Sequence, residues 1–200
     1  MVKIQEITVD LLSKISFDEP RNFGSGKFIP FSEPLRITLP KMTAPFGISS
    51  FGDNGKFTLP TNVDDKAAQA GLLALDSWAK NMIQKNPDWL GRRGPLSDDV
   101  VDMLYCRQLK AGKGVYAPTT KVALKFDQDG EPIFSHTGVQ NGYAKGAYLR
   151  HQVQSLVEIT GFWVAAARAG LTSNLLRLHV DEPVLRVRRF LDDDESFDAP

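Results

Sequence analysis

The sequence predicts a β-rich α+β domain, with about five or six mostly antiparallel strands in a barrel-like sheet. Three observations predict this class. Short strand-like runs dominate both halves of the chain, a helical pattern interrupts them at about 63–108, and the C-terminus is acidic. We therefore expect one domain over residues 1–183, with a helical insertion, followed by a basic-then-acidic tail over residues 184–200.

Strand patterns fill the first sixty residues. The segment VKIQEITVDL alternates imperfectly and predicts a strand with a bulge. KFIPFS and PLRITLP predict two short strands, whose prolines favour edge positions. GDNG at 52–55 predicts a tight turn that leads into the strand KFTLP.

The pattern becomes helical between Asp64 and Lys85. Apolar residues recur there at spacings of three and four, which predicts an amphipathic helix that begins at Asn62 or Asp64 and ends before Pro87. The segment PLSDDVVDMLYCRQ predicts a second helix, with Ser97 as its N-cap and two acids in its first turn.

Strands return after this insertion. TTKVALKF, the turn DQDG and EPIFSH predict a hairpin, and the Gly-rich VQNGYAKGAY predicts a loop. QSLVEITGFWVAAARAG fits a strand or a helix. Trp163 and the β-branched residues favour a strand with a bulge at Gly161, which is the assignment we adopt. NLLRLHV predicts the last strand.

The composition is typical of a soluble intracellular protein. The 200 residues have a formal net charge of zero, and the single cysteine, Cys106, cannot form an internal disulfide. The N-terminus lacks the apolar core of a signal peptide, and the apolar run GFWVAAARAGL is too short to span a bilayer. We expect no membrane partner.

The motifs of common catalytic and metal sites are missing. KAGKGV lacks the spacing and the hydroxyl of a phosphate-binding loop, and the sequence has no GxSxG, HExxH or CxxC. The three histidines are scattered, and the acidic pairs at the predicted helix starts are typical of capping. We therefore expect no enzymatic activity, no cofactor and no metal.

Basic residues and aromatic rings are interleaved between Trp78 and Arg150. This stretch contains eleven basic and seven acidic residues. Proteins bind single-stranded nucleic acid with cations on the phosphates and rings stacked on the bases. A half-polar sheet with core-facing rings has the same composition, but NPDWLGRRGP and QLKAGKGVYAP each place a ring beside turn glycines and bases. The candidate binding residues are Lys56, Phe57, Trp89, Arg92, Arg93, Lys110, Lys113, Tyr116, Lys121, Tyr143 and Lys145.

The segment LPKMTAPFGISSFGDNGKFTLP contains three phenylalanines whose roles differ. Phe46 lies between a proline and a glycine, and we expect it to plug one end of the core. Phe51 and Phe57 flank the GDNG turn, and Phe57, next to Lys56, is the expected stacking ring.

The C-terminal tail carries five acids and no base, and RVRRF immediately precedes it. Such a block is a solvated solubility tail, or it competes with phosphates for a basic surface at high effective concentration. Phe197 could also anchor the tail to a partner protein. The residues assigned to the tail are Asp192, Asp193, Asp194, Glu195 and Phe197.

Several segments resemble one family of small proteins encoded by large DNA viruses and phage-like elements. These are LPKMTAPFGIS, WLGRRG, YCRQLK, YAPTTKVALKF, PIFS and VEITGFWVAAARAGLT, and APFGIS at Ala44–Ser49 is the most specific. The resemblance runs from about Phe28 to Val180. It implies a single-stranded DNA-binding protein with an oligonucleotide-binding (OB-like) antiparallel β-barrel. The tail also resembles those of phage single-strand binders that recruit replication partners, but it ends in Asp-Ala-Pro instead of an aromatic residue.

The resemblance implies binding to single-stranded DNA in viral or phage replication or recombination, without strong sequence preference. Its implied partners are single-stranded DNA and, through the tail, replication proteins. The implied location is the host cytoplasm or nucleus. Assembly into a homo-oligomer is also left open. Two alternatives remain, namely a virion structural or assembly protein that binds no nucleic acid, and an enzyme of unrecognised type. Salt dependence separates the first alternative from a DNA binder, because phosphate contacts weaken steeply with added salt.

Overall fold

The computed structural model describes residues 1–51, 56–165 and 168–183, and strands dominate it. Three α-helices and two short 3-10 helices, Ile4–Glu6 and Pro87–Leu90, accompany the strands in these ranges. The helices are α1 (Val9–Ser13), α2 (Lys66–Lys85) and α3 (Asp98–Leu104). The strands are β1 (Val2–Lys3), β2 (Arg21–Phe23), β3 (Gly26–Thr38), β4 (Met42–Thr43), β5 (Ser49–Phe51), β6 (Lys56–Asn62), β7 (Tyr105–Cys106), β8 (Thr119–Leu124), β9 (Ser135–Gly138), β10 (His151–Ala165) and β11 (Arg168–Pro183).

A long antiparallel hairpin, β10 and β11, forms the centre of the larger sheet. Its two strands pair from Ala165↔Arg168 to His151↔Pro183, and β3 pairs antiparallel with the other edge of β10. Burial alternates along β10 from His151 to Ile159, as expected for a strand with one face in the core. The strand assignment for this segment is therefore confirmed.

The predicted bulge at Gly161 is also confirmed. The register of β10 shifts between Ile159 and Gly161 against both of its neighbours. Gly161 has φ 156°, and a Cβ there would lie 2.2 Å from the carbonyl oxygen of Ile29. Only glycine allows this close approach of the two backbones.

The smaller sheet contains β5, β6 and β8 in antiparallel order. In its register Phe57 lies opposite Leu124, and Asn62 lies opposite Thr119. β8 also packs beside β11, where Lys125 Nζ donates to Asn174 Oδ1. This sheet therefore lies against the central hairpin and carries several of the predicted binding residues.

α2 confirms the helix predicted from the periodicity. The carboxylate of Asp65 accepts hydrogen bonds from the backbone N–H groups of Ala67 and Ala68, which satisfies two unpaired donors at the helix start. The apolar stripe of the helix is buried, and its tryptophan ring joins a cluster with Phe17, Phe31, Trp89 and Phe162. These rings connect the helix to the larger sheet.

The β-rich α+β class and the mostly antiparallel pairing are confirmed, but the predicted barrel is wrong, because the sheet does not close in the described part of the chain. The larger sheet has the order β1-β3-β10-β11-β7, and its two end strands do not pair with each other in the described part of the chain. The pairs β1–β3, β7–β11 and β9–β11 are parallel, so the sheet is mixed. The end strands are two residues long, which is too short to close a barrel.

Three local predictions are also wrong. Residues 2–11 form β1, a 3-10 turn and the start of α1, since Ile4, Ile7 and Leu11 follow a helical spacing and Thr8 caps α1. The two short strands of residues 27–40 are one strand, whose prolines lie where the register shifts. The predicted hairpin forms only around the 127–130 turn, where Phe126 and Pro132 make an antiparallel bridge, because β8 and β9 belong to different sheets. Both the GDNG turn and the tail lie outside the described residues.

Candidate nucleic-acid interface

A groove of about 820 Å³ opens where β6 begins and β8 ends. Three half-buried rings, Phe57, Phe126 and Tyr143, line it together with the exposed side chain of Ile133. Ring centroids are 5.5 Å apart for Phe57–Phe126 and 5.0 Å apart for Phe126–Tyr143. The remaining lining residues are Thr58, Ala123, Leu124, Lys125, Asp127 and Gly130.

Strand register explains why the rings converge. Phe57 lies opposite Leu124, so the two side chains share one face of the small sheet. Phe126 follows two residues after Leu124 and contacts both Phe57 and the buried ring of Phe134. The groove therefore lies at the edge of the core, where half-buried rings that pack on the core are accessible to solvent.

Tyr143 is held in place by a histidine. Its hydroxyl lies 2.8 Å from His136 Nδ1, and the two ring centroids are 5.6 Å apart. Burial raises the pKa of Tyr143 and lowers the pKa of His136, so both groups are neutral near pH 7. The ring consequently stays apolar and fixed at the groove wall.

The charges around the groove are not uniform. Lys125 lines the groove and is exposed, and Lys145 is exposed two residues after Tyr143. The lining also includes Asp127, whose carboxylate accepts hydrogen bonds from the backbone N–H groups of Asp129 and Glu131, and Glu131 contributes to the raised pKa of Tyr143. A bound polyanion would therefore be attracted by Lys125 and repelled by the acidic 127–131 turn.

A loop rich in exposed side chains precedes β8. Lys110 and Thr119 exchange two backbone hydrogen bonds of 2.8 and 2.9 Å, which close the loop. Tyr116 is 70% exposed, and Lys113 is exposed beside it. Lys121, on the adjacent strand, has a pKa lowered by burial and by the charge of Lys110, so the two ammonium groups are close. The structure thus brings four predicted residues together.

β8 connects this loop to the groove. Its six residues span roughly 16–20 Å at the rise of a β-strand. Lys121 and Ala123 point to the face opposite Val122 and Leu124, which are buried. One short strand therefore separates an exposed tyrosine with lysines from a groove lined with rings.

Arg92 and Arg93 are exposed but attached to another part of the fold. They lie in the Gly91–Gly94 turn that follows the 3-10 helix, near the β2–β3 hairpin, where Lys27 Nζ donates to the carbonyl of Asp88 at 3.3 Å. Within the described residues, neither guanidinium has a carboxylate at ion-pair distance. They remain candidate phosphate ligands.

Two predicted aromatic roles are wrong. Trp89 is only 8% exposed and packs 5.4 Å from both Phe17 and Phe162, so its ring belongs to the core. The 3-10 turn that begins at Pro87 directs it inward, where its large apolar area is removed from water. Phe46 is 61% exposed instead of plugging the core. The side chain of Lys56 and the tail residues 192–197 lie outside what the structure describes.

Sequence reasoning missed Lys125, Phe126 and Ile133 as groove residues. A signal was present, because KF directly follows the alternating run TTKVAL and precedes the turn. A ring at the end of a strand, just before a turn, lies at the border between core and solvent. Ile133 had no local signal, since its position depends on how the turn folds back onto Lys125.

The other expectations concern metals, capping and membranes. In residues 1–51, 56–165 and 168–183, no three or more His, Cys, Asp or Glu side chains cluster as metal ligands would. Asp65 acts as a cap, and Asp98 and Asp99 occupy the first turn of α3, as predicted. No helix in these ranges combines the length and the apolar character of a membrane span.

No protein-family profile and no curated protein sequence matches this chain. Solved structures do resemble it. A C-terminally truncated single-stranded DNA-binding protein from bacteriophage Enc34 aligns with a TM-score of 0.40 and 11% identity, over 86% of this chain and 98% of the phage protein. The same phage protein in complex with single-stranded DNA aligns with a TM-score of 0.39 and 11% identity, over 86% and 99% of the two chains.

A third structure of the Enc34 protein aligns with a TM-score of 0.39 and 10% identity, over 86% of this chain and 95% of that chain. The three alignments each cover 86% of this chain. Because all three TM-scores lie below 0.5, the function proposed below rests on the residues of this chain.

Proposed function

We propose that this protein binds single-stranded DNA without strong sequence preference and without catalysing a reaction on it. The observation that carries the proposal is the groove in which Phe57, Phe126 and Tyr143 converge, with the exposed Lys125 in its lining. Half-buried rings at a groove wall offer faces or edges on which bases can stack, and every base has a face that can do so. A role in viral or phage DNA replication or recombination is part of the same proposal.

The loop before β8 supplies the second element of such an interface. Tyr116 is exposed next to Lys113, and Lys110 lies close to Lys121. Exposed ammonium groups attract phosphates, and binding then releases condensed counterions. The loop and the groove lie at the two ends of β8, so a strand of DNA that reaches both would meet Tyr116 at one end and the groove rings at the other.

Phosphate contacts and stacking together explain the expected lack of sequence preference. Lysine contacts to phosphate carry no base information, and stacking tolerates any base. The groove offers few polar groups that could read a base edge, since its lining is mostly apolar. Modest preferences would come from stacking strength alone.

A fluorescence titration with labelled poly-dT tests the proposal. Replacing the ring in Phe126→Leu keeps the site apolar but removes a stacking face, so affinity should fall about 5- to 150-fold, the range of one lost stacked base. Phe126→Tyr keeps the ring and serves as the matched control, with affinity within about twofold of the parent. If Phe126→Leu binds as tightly as Phe126→Tyr, the groove is not the binding site.

A further inference from the structure

The exposed ring of Phe46 is held rigidly on the surface. The segments 44–48 and 146–151 exchange four backbone hydrogen bonds of 2.7–2.9 Å on either side of this ring. Ala44 and Ile48 are fully buried, so the backbone around the ring is anchored in the core. The hydrogen bonds are Ala44 N to His151 O, Arg150 N to Ala44 O, Ile48 N to Ala147 O and Gly146 N to Ile48 O.

The backbone next to this ring is tightly packed and has an unusual conformation. Gly47 has φ +63°, and a Cβ at this position would lie 2.4 Å from the carbonyl oxygen of Ala147. Across from it, Tyr148 and Arg150 both have φ 63°, a left-handed conformation that non-glycine residues adopt at a cost. A phenylalanine left largely in water forgoes much of the free energy of burial, so an ordered scaffold that exposes one indicates a binding role.

Charge indicates which ligand this surface fits. The loop 139–151 contains Lys145 and Arg150 but no acid, and the segment 39–48 contains no acid either. Lys145 and Arg150 are exposed, and among the described residues neither forms an ion pair. An exposed ring flanked by free cations complements a base and its phosphates.

The patch continues from the groove along one loop. Tyr143 lines the groove, and the buried Tyr148 ring lies 6.4 Å from it. The next residue, Leu149, is half exposed, and Arg150 donates its backbone N–H to the carbonyl of Ala44, in the segment between β4 and β5 that carries Phe46. A DNA strand that leaves the groove past Tyr143 and Lys145 would therefore reach the Phe46 ring.

We propose that Phe46, Leu149, Arg150 and Lys145 form a second base-stacking site that extends the single-stranded DNA path beyond the groove. This inference rests on the function proposed above. Phe46 stacks on a base, Leu149 widens the apolar platform, and Arg150 and Lys145 contact the flanking phosphates.

Poly-dT affinity of Phe46→Ala tests the inference. Loss of one stacked base should weaken binding about 5- to 150-fold, whereas Phe46→Trp should keep parental affinity within about twofold. Met103→Ala is the matched control, since this side chain on α3 is 74% exposed and lies outside both proposed sites. Arg150→Asn, which suits the left-handed backbone, should lower the salt slope by about 0.7.

The outcomes separate this inference from the proposed function. If the parent binds poly-dT and Phe46→Ala binds it like Met103→Ala, the groove stands and the second site is rejected. If Phe46→Ala dissociates an oligomer in sedimentation while poly-dT affinity is unchanged, the patch is an interface between copies of the chain and the inference is also rejected. If the parent itself does not bind, the proposed function and the second site both fail.

Discussion

The buried carboxylate of Asp76 connects the middle of α2 to residues 108 and 109, which lead into the loop between Lys110 and Thr119. The side chain is 3% exposed and accepts three hydrogen bonds. Oδ1 accepts from the Tyr105 hydroxyl and the Gln108 backbone N–H, both at 2.8 Å, and Oδ2 accepts from the Leu109 backbone N–H at 3.1 Å. Since Lys110 directly follows Leu109, this carboxylate fixes the backbone at the start of the loop.

Removing the carboxylate leaves buried donors without acceptors. Tyr105 and Leu109 are buried, and Asp76→Ala would leave their donors and that of Gln108 unsatisfied. At about 1–3 kcal/mol for each unsatisfied buried group, and with some relief from entering water, we expect a loss of about 3–6 kcal/mol in the free energy of unfolding. That is a large fraction of the stability of a typical domain.

Asp76→Asn is a finer test of the same geometry. The amide oxygen can keep the two partners of Oδ1, but the amide nitrogen would then face the Leu109 N–H, which is also a donor. The expected loss is therefore smaller, about 1–3 kcal/mol. Turning the amide around would satisfy Leu109 and abandon the other two donors.

Urea unfolding followed by tryptophan fluorescence measures both losses. Ser77→Ala is the control, because Ser77 is the exposed neighbour on the same helix and should change stability by less than about 0.5 kcal/mol. The reasoning is refuted if Asp76→Ala unfolds at the same urea concentration as Ser77→Ala.

Three further predictions concern charge. Arg92→Ala combined with Arg93→Ala should weaken poly-dT binding for all sequences and reduce the salt slope by about 1.4, and unchanged binding at low salt would remove both residues from the site. Deleting residues 191–200 should tighten poly-dT binding at low salt with little change in melting temperature, because a tethered polyanion competes with phosphates; equal affinity at low salt would reject this competition. Burial raises the pKa of Asp76 above 3.8, and this effect exceeds the lowering by its hydrogen bonds. The folded protein therefore binds the proton more tightly than the unfolded chain does. The stability of the parent relative to Asp76→Asn should consequently fall as the pH rises from 3.8 through the folded-state pKa. Urea titrations at several pH values measure this difference, and a difference that grows with pH would contradict the sign.

The sequence was most informative where structure depends on local pattern. The spacing of apolar residues predicted α2, and Asp65 was among the acids expected to cap it. The β-branched residues and Gly161 predicted the bulged strand β10. These features depend on neighbours within a few residues along the chain, which a single sequence contains.

The sequence was misleading where the direction of a side chain depends on distant partners. Trp89 sits in a turn with glycines and arginines, but Phe17 and Phe162 form an apolar pocket for it. Phe46 is a residue type that is usually buried, but its side chain is exposed here. Backbone hydrogen bonds join its segment to the 146–151 loop. Parallel pairing of β9 with β11 likewise joins segments about forty residues apart, for which the sequence has no local signal.

The candidate site was recovered in part for the same reason. Lys110, Lys113, Tyr116 and Lys121 lie together because they are close in sequence and β8 fixes their order. Phe126 joins Phe57 and Tyr143 only through strand register and a returning loop. Composition therefore indicated the residue types of the interface, and the fold decided which of them meet.

The salt dependence of poly-dT affinity tests the central claim most directly. If lysines such as Lys110, Lys113 and Lys145 neutralise phosphates, the logarithm of the association constant should fall linearly with the logarithm of salt concentration. The slope should be about −0.7 for each contact, or about −2 for these three alone. Tight binding with a steep slope is the result we expect. No measurable binding to poly-dT at low salt, or an affinity that does not change with salt, would contradict the claim.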